Sequence, residues 1–255
     1  MSVHNAEKTL DGTLQSISRQ SFQAFSIVVV DDASTDRTAA VLKRWSTFFG
    51  RRLRVLQHSS NLGLTKSLNK GLHVITTPYT ARIDADDWWH KEKLEKQIAF
   101  LESHSDHGIV GCNYVNKSTA GEKQIVVPET DQGIRQSMIR QNPFAHSCVV
   151  FRTDLVKKLG GYDETVRYGQ DYELWFRCLP RTKFHNLQEF LCYRTTGSGI
   201  SVDKQRQQMM QVVKTRLKYI RQYHLPLINY FYLLEPMSII LIPNFIKQFK
   251  RKVAG

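Results

Sequence analysis

Three carboxylates, Asp84, Asp86 and Asp87, crowd into the stretch ARIDADDWW, directly behind an apolar run and ahead of Trp88 and Trp89. Like charges this close raise one another's pKa unless a cation sits among them, most often a hard divalent ion that prefers oxygen ligands. A second acidic pair, Asp31 and Asp32, closes the run VVVDDASTD, and Asp171 with Glu173 opens a helical pattern in GGYDETVRYGQDYELWFRCL. Carboxylates in such settings hold metals, accept hydrogen bonds from ligands or remove protons. The plainer readings are turn chemistry for Asp32, an exposed acidic turn for Asp84 to Asp87, and a helix N-terminus for Asp171.

These groups need elements to position them. The β-branched run Phe25 to Val30, the alternating Arg52 to His58 and the apolar Tyr79 to Ile83 predict strands. Between and after them, Ala6 to Arg19, Thr35 to Phe49, Leu64 to Ile75 and Lys91 to Ser103 predict helices, with Ser34 or Thr35 capping the second. Strand and helix in alternation predict an α/β fold, a mostly parallel doubly wound sheet flanked by helices. Ligands bind such sheets beyond the carboxyl ends of the strands, where both acidic clusters fall. Alternation along an extended chain would send Asp84 and Asp86 one way and Asp87 the other. Farther on, GIVGCNYV and SCVVFR read as strands, DQGIRQSMIR as a helix, and a long basic helix runs from about Asp203 to Tyr223.

The chain of 255 residues is 41% hydrophobic and 11% aromatic, which suits a globular enzyme-sized domain with an appendage. Its net charge is +13, and from Lys204 onward ten Lys or Arg stand against the single acid Glu235. Such a helical basic tail can meet an anionic membrane face or nucleic acid. The apolar stretch Leu225 to Ile246 is broken by Asn229, Glu235, Pro236, Pro243 and Asn244, which suits lying on a membrane surface better than crossing it. Cys112, Cys148, Cys178 and Cys192 are widely spaced, predicting reduced, buried thiols in a cytoplasmic protein.

Six stretches occur in an order and spacing that resembles the bacterial family-two glycosyltransferases with the GT-A fold: SVHNAEKTLDGTLQSISRQSF, IVVVDDASTDRT, NLGLTKSLNKGL, ARIDADDWW, NPFAHSCVVFR and GGYDETVRYGQDYELWFR. The resemblance covers about residues 1 to 200. It implies an inverting transferase that moves a sugar from a nucleotide-sugar, here a UDP-sugar, to a hydroxyl of a surface polysaccharide (lipopolysaccharide or capsule) or a lipid-linked glycan. On this resemblance Asp32 and the backbone from Ser2 to Asn5 hold the nucleoside, and Asp84-Ala85-Asp86 is the metal motif. Asp86 is then the direct ligand of Mg2+ or Mn2+, and Asp84 touches the ribose or a metal-bound water. Asp171 becomes the catalytic base, with Gln170 replacing the family's usual Glu and Glu173 in reserve. His146 falls on the acceptor side. Arg194 reaches the diphosphate from a closing loop, and Arg82 borders the donor or balances the acids. The implied domains are a catalytic unit of residues 1–203, divided near 105 and 106 into nucleotide-sugar and acceptor halves, and a tail of residues 204–255. Its station would be the cytoplasm, peripheral on the inner face of the cell membrane. The family also carries several apolar residues ahead of the position of Ser2, so either the true start lies upstream or the first strand is a stub beside a partly open donor pocket.

Two other classes compete. A nucleotidyltransferase acting on sugar phosphates would need a Gly-rich, cationic phosphate loop, and HNAEKTLDG matches that poorly. A non-catalytic basic binder would lean on the tail alone, and no nucleic-acid module is visible.

Overall fold

The computed structural model describes residues 1–196 and 202–241, with backbone alone for 202–204. Expectations that rest on Ser198, on the Lys204 side chain or on the basic run Lys247 to Lys252 lie outside the described residues.

The chain builds two sheets. In the first, strands β1 (Ser2–Val3), β2 (Ile27–Asp31) and β3 (Leu53–Gln57) pair in parallel in that order. Four of the five β2 residues are buried, the near-continuous apolar run of a parallel strand covered on both faces. Helices α1 (Leu10–Ser18), α2 (Thr38–Phe49) and α3 (Leu64–Val74) supply the crossovers. In α1 the buried Leu10, Leu14 and Ile17 recur at helical spacing and meet Val29, Leu42 and Trp89 in one core.

The second sheet is mixed. Its order is β4 (Tyr79–Ala81), β8 (Val150–Arg152), β6 (His107–Ser118), β9 (Lys183–Thr195) and β5 (Trp88–Trp89), with β7 (Gly121–Ile125) hairpinned onto β6. Only β6 and β9 run parallel here, with register shifts around Asn113. Helices α4 (Lys93–Ser103), α5 (Asp131–Met138), α6 (Thr153–Lys158) and α7 (Gln170–Cys178) flank it. The parallel, helix-flanked arrangement expected from the sequence is therefore concentrated in the first sheet. A mostly apolar cavity of about 390 Å³ lies between the sheets, bounded by Met1, Val28, Tyr79 and Ala81. Arg82 and Tyr162 reach it, but the acidic turn does not line it.

The basic helix is present as α8 (Val202–Gln222), followed by a 3-10 segment, Leu227–Leu233, and α9 (Leu234–Leu241). No helix among the described residues is long and apolar enough to cross a membrane. Helix α8 is locked to α7 rather than trailing free. The Tyr219 ring stacks on Phe176 with centroids 4.5 Å apart, its hydroxyl donates to Glu173 at 2.8 Å, and Lys218 and Arg177 both pair with the same carboxylate. Replacing Tyr219 by Ala removes a fully buried ring and leaves Glu173 short of a donor, so urea unfolding should show a loss of about 4 kcal/mol. All four cysteines are free and buried.

Candidate active site

The acidic stretch is a turn, not a continuing strand. Strand β4 stops at Ala81, opposite Val150, and the Asp87 amide then donates to the Asp84 carbonyl at 3.3 Å. The alternation expected for an extended chain therefore does not apply. Instead Ser147 organises the turn: its hydroxyl oxygen accepts from the Asp84 amide at 3.0 Å and from the Arg82 guanidinium at 3.1 Å, while its proton is aimed at Asp87. Asp87 is the buried member, its other oxygen accepting from the Thr195 amide at 2.9 Å, so it ties the turn to the end of β9. Burial, and then the Asp84 charge, push its carboxyl up to about 6.

Arg82 is the hub. It is 4% exposed and forks both outer nitrogens onto Asp84. Its charge also reaches Asp171, Tyr162 and His146. The expectation that it only borders the donor or balances the acids understates this position. Asp86 makes no such fork: burial first and the Asp84 charge second hold its carboxyl above the ordinary aspartate range.

Asp171 stands in the first turn of α7, whose N-cap is Gly169 in the left-handed conformation at φ 66°. Burial raises its carboxyl, against the pull of the Tyr172 amide, the Arg82 charge and the Asn142 amide, which donates to it at 2.8 Å. Glu173, the reserve base, is placed elsewhere. It lies 1% exposed between α7 and α8, saturated by Arg177, Lys218 and Tyr219. A charge so enclosed has no route to an acceptor.

His146 is buried and bonds the Tyr162 hydroxyl through Nε2 at 2.9 Å. Burial, and then the Arg82 charge, lower its pKa well below the ordinary histidine value, which favours the neutral ring. Arg194 sits on β9, not on a loop, over the Tyr114 ring at 5.3 Å, and its Nε finds no partner among the described residues. Its charge acts on both Asp86 and Asp87.

The first-sheet residues form the neighbouring rim. Both Asp32 oxygens accept backbone donors, Leu62 at 2.8 Å and Gly63 at 2.7 Å, which latches the loop ahead of α3 to the end of β2. Asn5, at φ 51°, accepts from the Thr35 amide at 2.8 Å, and its own amide donates to Ser34. Ser34 thus braces this rim, receives a second tie from Asp31, and caps no helix, as α2 begins after Arg37. Ser2 lies on β1, paired with Val30.

Arg82, Asp84, Asp86, Asp171, His146 and Arg194 are thus brought to one locus, with Glu173 turned away, while Ser2, Asn5 and Asp32 make their contacts at the end of the first sheet. Sequence reasoning missed Ser147, Asn142 and Tyr162. The signal for the first two was their place in NPFAHS, polar side chains inside an otherwise apolar run. Replacing Ser147 by Ala takes a donor from Asp87 and an acceptor from both Arg82 and the Asp84 amide. It should cost about 1–3 kcal/mol in chemical denaturation and weaken nucleotide binding measured by calorimetry.

Among the described residues no three His, Cys, Asp or Glu side chains gather as a complete metal shell. The donor set still fits a hard cation of the Mg2+ or Mn2+ type, which needs only one or two carboxylates when phosphate oxygens supply the rest. Asp86, raised by burial first and by the Asp84 charge second, is the acid of this turn onto which no Arg82 fork closes.

A two-sheet α/β fold with an acidic turn after β4 and a carboxylate at the head of α7 defines a GT-A type transferase. Residues 1–160 match the sequence model of glycosyl transferase family 2, and the chain belongs to that family. It is 36% identical over 211 residues to the amylovoran biosynthesis glycosyltransferase AmsE of Erwinia amylovora, covering 81% of this chain and 78% of that one. Among solved structures, TarS 1-349 of S. aureus in complex with UDP shares the fold at TM-score 0.66 and 20% identity, over 86% of this chain and 69% of that one. The mannosyltransferase PcManGT of Pyrobaculum calidifontis, in complex with GDP-Man and Mn2+, does so at 0.69 and 18%, over 93% and 72%. The protein is a glycosyltransferase, and the nucleotidyltransferase and basic-binder readings fall away.

Proposed function

We propose that the protein is an inverting, metal-dependent hexosyl- or N-acetylhexosaminyltransferase that uses a UDP-sugar and extends a surface polysaccharide or lipid-linked glycan. The observation that carries this is the Arg82 hub, whose charge acts on the acidic turn and on the raised, Asn142-held Asp171 alike. The UDP bound by TarS supports the donor, the Mn2+ and nucleotide-sugar bound by PcManGT support the cation, and AmsE is named for amylovoran biosynthesis.

In this reading Asp32 and the backbone of Ser2 to Asn5 line the nucleoside pocket. Asp86 would hold the cation, and Asp84 would lie beside it or at the ribose. Arg82 and Arg194 face the diphosphate. When bound, the cation stabilises charge on the departing diphosphate. Asp171 removes the acceptor hydroxyl proton as that oxygen bonds the anomeric carbon, and the bond from that carbon to the diphosphate breaks with its electrons leaving on UDP. Attack opposite the leaving group inverts the anomeric centre. His146 and Tyr162 support the acceptor side as a neutral pair. Residues 1–203 form the catalytic unit and 204–255 the tail, stationed at the inner face of the cell membrane where a lipid-linked acceptor lies.

The test is turnover of a UDP-sugar panel with Mn2+ and lipid-linked acceptors, followed by NMR of the product's anomeric carbon. Inversion is expected. A retained configuration would overturn the role of Asp171.

A further inference from the structure

The last described segment leaves an apolar surface uncovered. Leu227 is 83% exposed, Ile228 69%, Phe231 65%, Leu234 55% and Leu241 73%. Their neighbours Leu233 and Pro236 are buried against the body, so the segment is docked on one side and bare on the other. Single exposed apolar residues are ordinary, but a contiguous group of this kind marks an interaction surface. Leu234 and Leu241 lie seven residues apart and so share a face of α9.

Charge identifies the partner. Within Leu227 to Leu241 the single charged side chain is Glu235, whereas α8, which packs against this segment, carries the exposed cations Arg206, Lys214 and Arg221, Arg216 being buried and Lys218 paired with Glu173. The sequence then continues to Lys247, Lys250, Arg251 and Lys252. An apolar face bounded on both sides in sequence by cations matches a bilayer surface, acyl chains below and anionic headgroups around.

We propose that Leu227, Ile228, Phe231, Leu234 and Leu241 insert into the interfacial layer of a membrane rich in anionic lipid, with the exposed α8 cations Arg206, Lys214 and Arg221 on the headgroups. The same segment is tied to the catalytic unit. Arg216 donates to the Tyr232 and Arg140 carbonyls and approaches the Tyr172 hydroxyl at 3.4 Å, one residue from Asp171. Insertion therefore holds the head of α7 at a set height above the bilayer. This last step rests on the glycosyltransferase reading given above, whereas insertion itself does not.

The experiment is co-sedimentation of the full chain with phosphatidylcholine vesicles, with and without phosphatidylglycerol, for wild type and the triple variant Leu227→Ser, Ile228→Ser, Phe231→Ser. These side chains are exposed, so circular dichroism should report an unchanged fold. Wild type should bind anionic vesicles, the triple variant should bind at least tenfold less, and raising NaCl from about 0.05 M to about 0.5 M should weaken wild-type binding. Equal binding by wild type and variant, or no wild-type binding, overturns the proposal. So does a dimer in light scattering that the triple variant dissociates without any vesicle binding, since the face would then cover a second copy. Nucleotide binding, measured on the same samples, reads the catalytic unit separately from the membrane surface.

Discussion

Asp171→Asn should reduce kcat by about 10²- to 10⁴-fold while leaving nucleotide affinity unchanged, because removal of the acceptor proton is needed in the transition state and not for donor binding. The amide keeps an oxygen to accept from Asn142, so the head of α7 should stay in place. The pH profile adds a second readout. Burial raises the Asp171 carboxyl, so wild-type kcat/KM should fall on acidification at a higher pH than an ordinary aspartate would allow. The sign follows from the base acting only when ionised: activity is present above the raised pKa and lost as pH drops through it. In the Asn variant that acidic limb should vanish from whatever rate remains. Glu173→Gln is the contrasting change, expected to loosen α8 and lower stability without altering the limb, since its carboxylate is spent on Arg177, Lys218 and Tyr219.

Asp86→Ala should cut transfer by about 10²- to 10³-fold and abolish the response of the remaining rate to Mn2+. Asp86 carries charge that burial and Asp84 both disfavour, so a cation that neutralises it gains more there than at a solvated carboxylate. Asp84 differs: Arg82 already forks onto it, so its replacement frees a buried guanidinium and should damage the whole locus. Titrating Mn2+ into steady-state assays of the two variants separates these outcomes. The Asp86 variant should stay folded and lose metal response, whereas the Asp84 variant should also lose stability.

The first sheet was legible because its signals are local. The apolar run ending in Asp31 and the 3.6-residue recurrence of Leu64 to Leu72 report parallel strand and covering helix directly. Strand β9 was not legible. Its register against β6 shifts near Asn113, and Gln188 and Glu189 interrupt the alternation that would announce a strand. That hid the placement of Arg194 on a strand. The acidic turn was misread as extended because its shape depends on Ser147, sixty-three residues away in sequence from Asp84. The contrast between Asp171 and Glu173 was half legible. Two residues apart on a helix lie about 200° around the axis, so both cannot face one site. Which faces inward is decided by α8, whose Tyr219 and Lys218 claim Glu173 from one side.

In the proposed function, the acidic turn and the residues Ser2, Asn5 and Asp32 together hold a nucleoside diphosphate with a divalent cation. Calorimetric titration of UDP, GDP and ADP into the wild-type protein, each with Mn2+ and with chelator, tests it most directly. Saturable UDP binding that requires Mn2+ and is tighter than binding of the other two is the expected result. A folded protein that binds none of them, or binds them equally with and without the metal, would contradict it.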